Sequence, residues 1–400
     1  MKKKVISVLL AGLMAMSLAG CGSSATTTSS AAAASSAAPA AAASTTAAAV
    51  STAAAAAAST TAASTAAAAS ATGETEKVKT ADGKTVTVGF SQVGAESDWR
   101  TANTASMKST FSTKNGYNLI FDDAQQKQEN QITAIRNFIQ QEVDYIVLAP
   151  VTETGWDTVL KEAKDAGIPV IIVDRMVNVS DDSLYTAWVG SNFELEGQKA
   201  TEWLNSFCTA KKIKATDIHI ADMQGTIGAS AQIGRTNGLN AAVKKYGWNM
   251  VAQETGEFTQ AKGQEVMESW LKQYKNINVV YCENDNEAFG AYDAITAAGK
   301  KVGSDIANGD IMIMSFDSTN AGLTDVTKGV ITLDTECNPL HGPRVQKIID
   351  TLKSGGTPDK KAYVDEEMFA VDNTVPSVKV DGKDYTVTVV TKDVIAKRAY

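Results

Sequence analysis

The sequence predicts an α/β protein built as two similar lobes and preceded by a segment that does not fold by itself. Three observations lead there. From about residue 85 onward, short β-rich runs alternate with segments of helical period, as parallel sheets covered by helices require. That alternation passes through about ten strands, which divide more naturally into two sheets of five than into one. Residues 22–73 are almost wholly Ala, Ser and Thr and carry no charge, so the whole folding capacity lies after them. A length of 400 residues suits about two domains. With 45 acidic against 37 basic residues the net charge is −8, and no basic footprint for nucleic acid is present.

Lys2, Lys3 and Lys4, followed by the apolar run 5–19 (VISVLLAGLMAMSLA), form a charged and then hydrophobic leader. The run falls short of the ~20 residues that span a bilayer, so residues 1–20 are expected to be an export signal. Leu18-Ala19-Gly20-Cys21 resembles the lipobox of bacterial lipoproteins, which implies lipidation of Cys21 and an exported chain anchored on the outer face of the cytoplasmic membrane or its periplasmic side. Residues 21–81 are then a disordered tether. Ser and Thr compete for the backbone, and no apolar face gives a helix anything to pack against. Some sixty residues of coil reach about 40–45 Å.

Strands are expected at 85–90, 117–121, 145–149, 170–173 and 185–189, and again at 218–223, 250–255, 279–282, 311–315 and 330–333. Ile132, Ile135, Phe138 and Ile139 share one helical face, as do Trp156, Val159, Leu160 and Ala163, and as do Val266, Met267, Trp270, Leu271 and Tyr274. A further helix is expected at 339–352, with extended runs at 363–369 and 385–390.

In open α/β sheets ligands sit beyond the carboxyl ends of the strands, so the residues following each strand are the candidate site. They are Gln92, Glu96, Trp99 and Arg100 after the first strand, and Asp174-Arg175 after the fourth. In the second half, Phe258, Asn284-Asp285 and Asp317 follow strands, with a Gly-rich turn at 225–230. Planar carboxylate, amide and guanidinium groups pair with adjacent hydroxyls, and aromatic faces cover C–H patches, so the mixture suits a saccharide. A mispaired buried polar group costs about 1–3 kcal/mol, enough to discriminate between sugars.

These strand ends resemble the periplasmic sugar-binding proteins of ABC importers, in the ribose/galactose-binding group, and within it the galactofuranose-binding members. The stretches that carry the resemblance are VGFSQVGAESDWR (88–100), QQKQENQI (125–132), APVTETGW (149–156), LKEAKDAGIPV (160–170), QGTIGAS (224–230) and KGQEVMES (262–269). It covers the folded part to Tyr400. It implies a type I periplasmic binding protein fold, two Rossmann-like lobes joined by a three-segment hinge. The first lobe would comprise 82–189 with 338–372, the second 190–337 with 373–400. It further implies that Asp174 and Arg175 grip sugar hydroxyls, that Trp99 and Phe258 cover the ring, that Asn284, Asp285 and Asp317 contact it, and that Glu336 does so near the second crossover. One departure stands out. Ribose binders carry an Arg one turn into the helix after the Gly-rich turn, a position that here falls on Ile233. Arg235 is expected on another face, leaving Arg100 to supply the guanidinium.

Bland alternatives stand beside these roles. Asp174-Arg175 is also a structural ion pair at a helix start, Asn284 also a helix cap, and the 125–131 run a helix-start motif rather than a ligand contact. His219 and His341 lack metal-ligand spacing, and Cys208, Cys282 and Cys337 are expected as buried thiols, with a disulfide left open by the exported location. The turn lacks the Lys-Ser/Thr ending of a phosphate loop. No catalytic residue, cofactor or metal is expected. A monomeric transport receptor that delivers a monosaccharide to an ABC permease is the leading reading. The alternative is a sensor presenting the same liganded form to a chemoreceptor or histidine kinase. A glycosidase would need two carboxylates at a set separation, and Asp174 and Asp317 are one such candidate pair. A sugar-responsive repressor is disfavoured by the export signal.

Overall fold

The computed structural model describes residues 85–400. The expected signal, the expected lipidation site Cys21 and the expected tether fall outside the described residues, as do residues 82–84. Among the described residues no helix is long and apolar enough to cross a membrane.

The first lobe alternates strand and helix as far as β4: β1 (Val86–Gln92), α1 (Asp98–Thr110), β2 (Tyr117–Asp123), α2 (Gln128–Gln140), β3 (Tyr145–Leu148), α3 (Asp157–Asp165), β4 (Val170–Val173) and then directly β5 (Ala187–Gly190). The chain then crosses to the second lobe. There follow α4 (Phe193–Ala210), β6 (His219–Gln224), α5 (Ser230–Tyr246), β7 (Asn249–Thr255), α6 (Gln260–Gln273), β8 (Val279–Cys282), α7 (Asp285–Ala297), β9 (Met312–Asp317), α8 (Asn320–Thr327) and β10 (Leu333–Glu336). It returns for α9 (Gly342–Lys353) and β11 (Lys361–Tyr363), then crosses again to β12 (Met368–Ala370), β13 (Ser377–Val380), β14 (Lys383–Val389) and α10 (Lys392–Ala396).

The sheets have six and eight strands rather than five each, in the orders β2-β1-β3-β4-β5-β11 and β7-β6-β8-β9-β10-β12-β14-β13. All pairings in the first are parallel, and in the second only β10–β12 and β13–β14 are antiparallel. The first five strands of each lobe repeat one doubly wound order. The crevice of each sheet therefore opens past β1 and β3, and past β6 and β8, where the loops diverge to opposite faces. Apolar clusters fill both faces of both sheets, from Val88 and Ile146 in the first to Met314 and Val280 in the second. A fifth, small cluster joins the lobes: Trp99, Phe193, Ala229, Ala231, Phe258 and Cys337.

Several boundaries differ from expectation. The strand expected at 330–333 begins only at Leu333, because Val330 and Ile331 complete the turn after α8 with their amides on the Asp325 carbonyl. Pairing of Met368–Ala370 with β10 and β14 puts 368–372 in the second lobe, so the third crossover precedes residue 368 instead of following 372. The reason is polar. Glu366 Oε1 accepts from Ser191 Oγ at 2.6 Å and from the Asn338 amide at 2.8 Å, pinning all three crossovers side by side and breaking the extended run expected at 363–369. The helix expected from 339 starts at Gly342.

Candidate functional site

The strand ends of both lobes face one another across a narrow cavity. Eight of the expected residues line it: Glu96, Trp99, Arg100, Asp174 and Arg175 from the first lobe, and Phe258, Asn284 and Asp317 from the second. Ser97 and Phe193 join them, together with Ala231, Arg235 and Cys337.

The first-lobe half is a connected ion network. Ser97 caps α1 by accepting from the Arg100 amide, which fixes Trp99 and Arg100 at the helix start. Arg100 Nη1 lies 2.9 Å from Asp174 Oδ2, and its Nε is 3.0 Å from Glu96 Oε1. Gln92 Oε1 accepts from the same guanidinium at 3.1 Å. Burial works against the Arg100 charge, but Glu96 and Asp174 outweigh it and hold the guanidinium charged, above its ordinary pKa. Arg175 has weaker company. Its Nη2 is 3.8 Å from Glu96 Oε1 and its Nη1 donates to the Val151 carbonyl, so burial, followed by repulsion from Arg100, lowers its pKa to about 10. The Arg175 guanidinium sits 5.0 Å from the Phe258 ring centre, across the cleft, while Arg100 lies 4.6 Å from that of Trp99.

In the second lobe Arg235 anchors the arrangement. Its Nε is 2.7 Å from Glu196 Oε2, another nitrogen donates to the Glu283 carbonyl, and its Nη2 lies 3.8 Å from Asp317 Oδ1. Phe193 and Phe316 flank its guanidinium, at 5.4 and 4.7 Å. Burial pushes the Asp317 carboxyl well above the usual range despite Arg235 nearby. Asn284 is the helix cap considered for it and also lines the cavity. Its Oδ1 accepts from the Glu287 amide at the start of α7, and its Nδ2 donates to the Phe258 carbonyl.

The backbone at the site is held in unusual shapes. Asp174, Phe258 and Asp317 all have positive φ, at 65°, 60° and 107°, a conformation that costs a non-glycine residue about 1–3 kcal/mol and clusters at ligand sites. Phe258 packs against Gly225, where a Cβ would come within 1.9 Å of the ring. That contact explains why the turn needs a glycine there.

Three expected residues do not reach the cavity. Gln92 lies behind Arg100, its Nε2 donating to Asn103 and Thr104. Asp285 is turned into the lobe, accepting from Ser315 and from the Thr319 amide and hydroxyl, and burial raises its pKa to about 6. Glu336 holds the C-terminus, accepting from Arg398 and Tyr400 as well as from the Glu367 amide. The expected departure at Ile233 is also corrected, because Arg235 itself faces the cleft. Phase along α5 is set by Gly234 and Gly238, against which the backbone of α4 packs too closely for any side chain. That small-residue pair was the signal available in the sequence.

Cys208, Cys282 and Cys337 are free, buried thiols. Among the described residues, one trio could offer ligand atoms to a metal: Glu196, Cys337 and Glu366, with those atoms within 4.8 Å of one another. Arg235 already engages Glu196, and Ser191 and Asn338 engage Glu366. Burial moreover raises the Cys337 thiol far above its ordinary pKa, so the trio is a polar knot under the hinge.

The sequence model of one family, described as a periplasmic binding protein domain, matches residues 88–335. The chain belongs to that family. This periplasmic binding protein is 40% identical over 296 residues to the galactofuranose-binding protein YtfQ of Escherichia coli (strain K12), covering 72% of this chain and 88% of the relative. A solved structure from Mycobacterium smegmatis in complex with β-D-fucofuranose is 41% identical, with a TM-score of 0.68 over 72% of this chain and 92% of that one. The arabinose ABC transporter binding component from Shewanella sp. ANA-3, bound to α- and β-L-arabinofuranose, is 42% identical, with a TM-score of 0.66 over 72% and 93%.

Proposed function

We propose that this periplasmic binding protein is the exported, lipid-anchored receptor of an ABC sugar importer. It captures one monosaccharide between its lobes, a furanose such as galactofuranose or a related aldose, and hands it to a permease. One observation carries the reading: paired guanidinium and carboxylate groups from both lobes converge with Trp99 and Phe258 on a single cavity. Relatives at 40–42% identity that are named for galactofuranose or bound to furanoses support the ligand class.

No bond need be made or broken. In the first-lobe half of the site, Arg100 and Arg175 each have a carboxylate within 4 Å, so the site suits a neutral polyol better than an ion. Asp174 and Glu96 accept from adjacent hydroxyls, Arg175 and Asn284 donate to them, and the aromatic faces cover the ring. A sugar held by both lobes favours the closed form, and that form is what the permease reads. Deleting the gene and measuring uptake of labelled L-arabinose and D-galactose tests the transport role. Lost uptake of either sugar supports it, whereas unchanged uptake of both with loss of a sugar-evoked signalling response would sink it in favour of a sensor.

A further inference from the structure

We propose that Ser230 and Asn286 are the closing clasp of the two lobes, positioning residues that set the strength of closure without touching the sugar. Across the rim of the cleft three hydrogen bonds run in the same sense. Ser230 Oγ accepts from the Met176 amide at 2.8 Å, Asn286 Oδ1 from the Asp98 amide at 3.0 Å, and the Gly228 carbonyl from the Glu153 amide at 2.9 Å. Every donor is a first-lobe backbone N–H in a loop or helix start after β1, β3 or β4, and every acceptor belongs to the second lobe. None of these six residues lines the cavity.

Ser230 and Asn286 are 8% and 9% exposed, because the lobes meet over them. The Asp98 amide is one of the donors at a helix start that no turn of its own helix can satisfy. Asn286 satisfies it from the other lobe. When the lobes part, all six groups return to water, so the bonds act on the open–closed equilibrium alone. A factor in that equilibrium multiplies the affinity for every ligand equally. The clasp thus separates how tightly the protein binds from what it selects, the latter resting with Arg100, Asp174 and Arg235. The inference depends on the sugar-receptor reading only for its binding readout.

The test uses the full chain with Ser230→Ala, Asn286→Ala and the conservative Ser230→Thr. Amide hydrogen exchange is followed without sugar at Asp98, Glu153 and Met176. Ser230→Ala is expected to speed exchange at all three amides, including the two whose acceptors are intact, and Ser230→Thr to restore protection. Acceleration confined to Met176, or none, overturns the clasp. Calorimetric titration with L-arabinose and D-galactose is the second arm. Each alanine variant should raise the Kd for every binding sugar by the same factor, about 2- to 10-fold for one lost hydrogen bond. An unchanged Kd, or unequal factors for the two sugars, overturns the proposal. If neither sugar binds the unaltered protein, the ligand reading fails while the exchange arm still decides the clasp.

Discussion

Arg100 and Asp174 meet at 2.9 Å although one stands in the first turn of α1 and the other after β4. Both are almost wholly buried, and neither has an aqueous alternative. Removing one partner of such a pair costs about 3–5 kcal/mol because the other charge is left uncompensated. Asp174→Ala is therefore expected to abolish measurable sugar binding and to lower the unfolding free energy in urea. The double variant Arg100→Met/Asp174→Leu should recover most of that stability and none of the binding. Recovery of binding would show that the pair serves the fold alone.

Arg235 and Ile233 give opposite outcomes. Arg235 is wedged between two phenylalanines and three acceptors at the cleft, whereas Ile233 is no part of the cavity lining. Arg235→Ala is expected to weaken sugar binding at least 100-fold by calorimetry. Ile233→Ala should leave the Kd within about twofold, as surface substitutions away from such features stay within ~0.5 kcal/mol. A larger loss at Ile233 would restore the helix phase expected from the Gly-rich turn.

Glu336 is tied to the C-terminus. Burial works against its charge, but the Tyr400 hydroxyl and Arg398 more than compensate and hold its carboxyl below the usual range. Glu336→Gln is expected to lower the melting temperature while changing sugar affinity by less than about threefold, a span of ~0.65 kcal/mol. An affinity loss without loss of stability would return Glu336 to the ligand.

Glu287 supports Phe258 from beneath, its Oε1 accepting from the Phe258 amide at 2.8 Å. Burial pushes its pKa up to about 8 from an ordinary 4.5. Between those values the native state keeps a proton that the unfolded chain releases. Stability from this group is thus fully present below about pH 4.5 and lost as pH rises to about 8, by up to ~1.4 kcal/mol per pH unit. Glu287→Gln keeps the acceptor and removes the titration. Its unfolding free energy should fall less than the parent's between pH 5 and pH 8. Asp222 and Glu283, raised in the same direction, keep the slope from vanishing. An identical slope in both proteins would place the proton elsewhere.

The strand–helix alternation and eight of the cavity residues were legible in the sequence because strand ends in an open α/β sheet carry the ligand groups by geometry. What escaped depends on tertiary contact. Arg235 needed the α4–α5 packing at Gly234 and Gly238, Glu336 needed a tail residue 62 positions away, and the third crossover needed Glu366 to find Ser191. Val330 and Ile331 read as strand because buried turn residues and buried strand residues share one composition.

A thermal-shift and calorimetric panel of D-galactose, L-arabinose, D-fucose and D-ribose on this protein tests the central claim most directly. One sugar per protein should bind. With ligand at 1,000 times its Kd the native state gains about 4 kcal/mol, a rise of roughly 5 °C or more for a body of this size. Asp174→Ala and Arg235→Ala should each erase the rise. The absence of a shift with every sugar of the panel, or an undiminished shift in both variants, would contradict a monosaccharide site between the lobes.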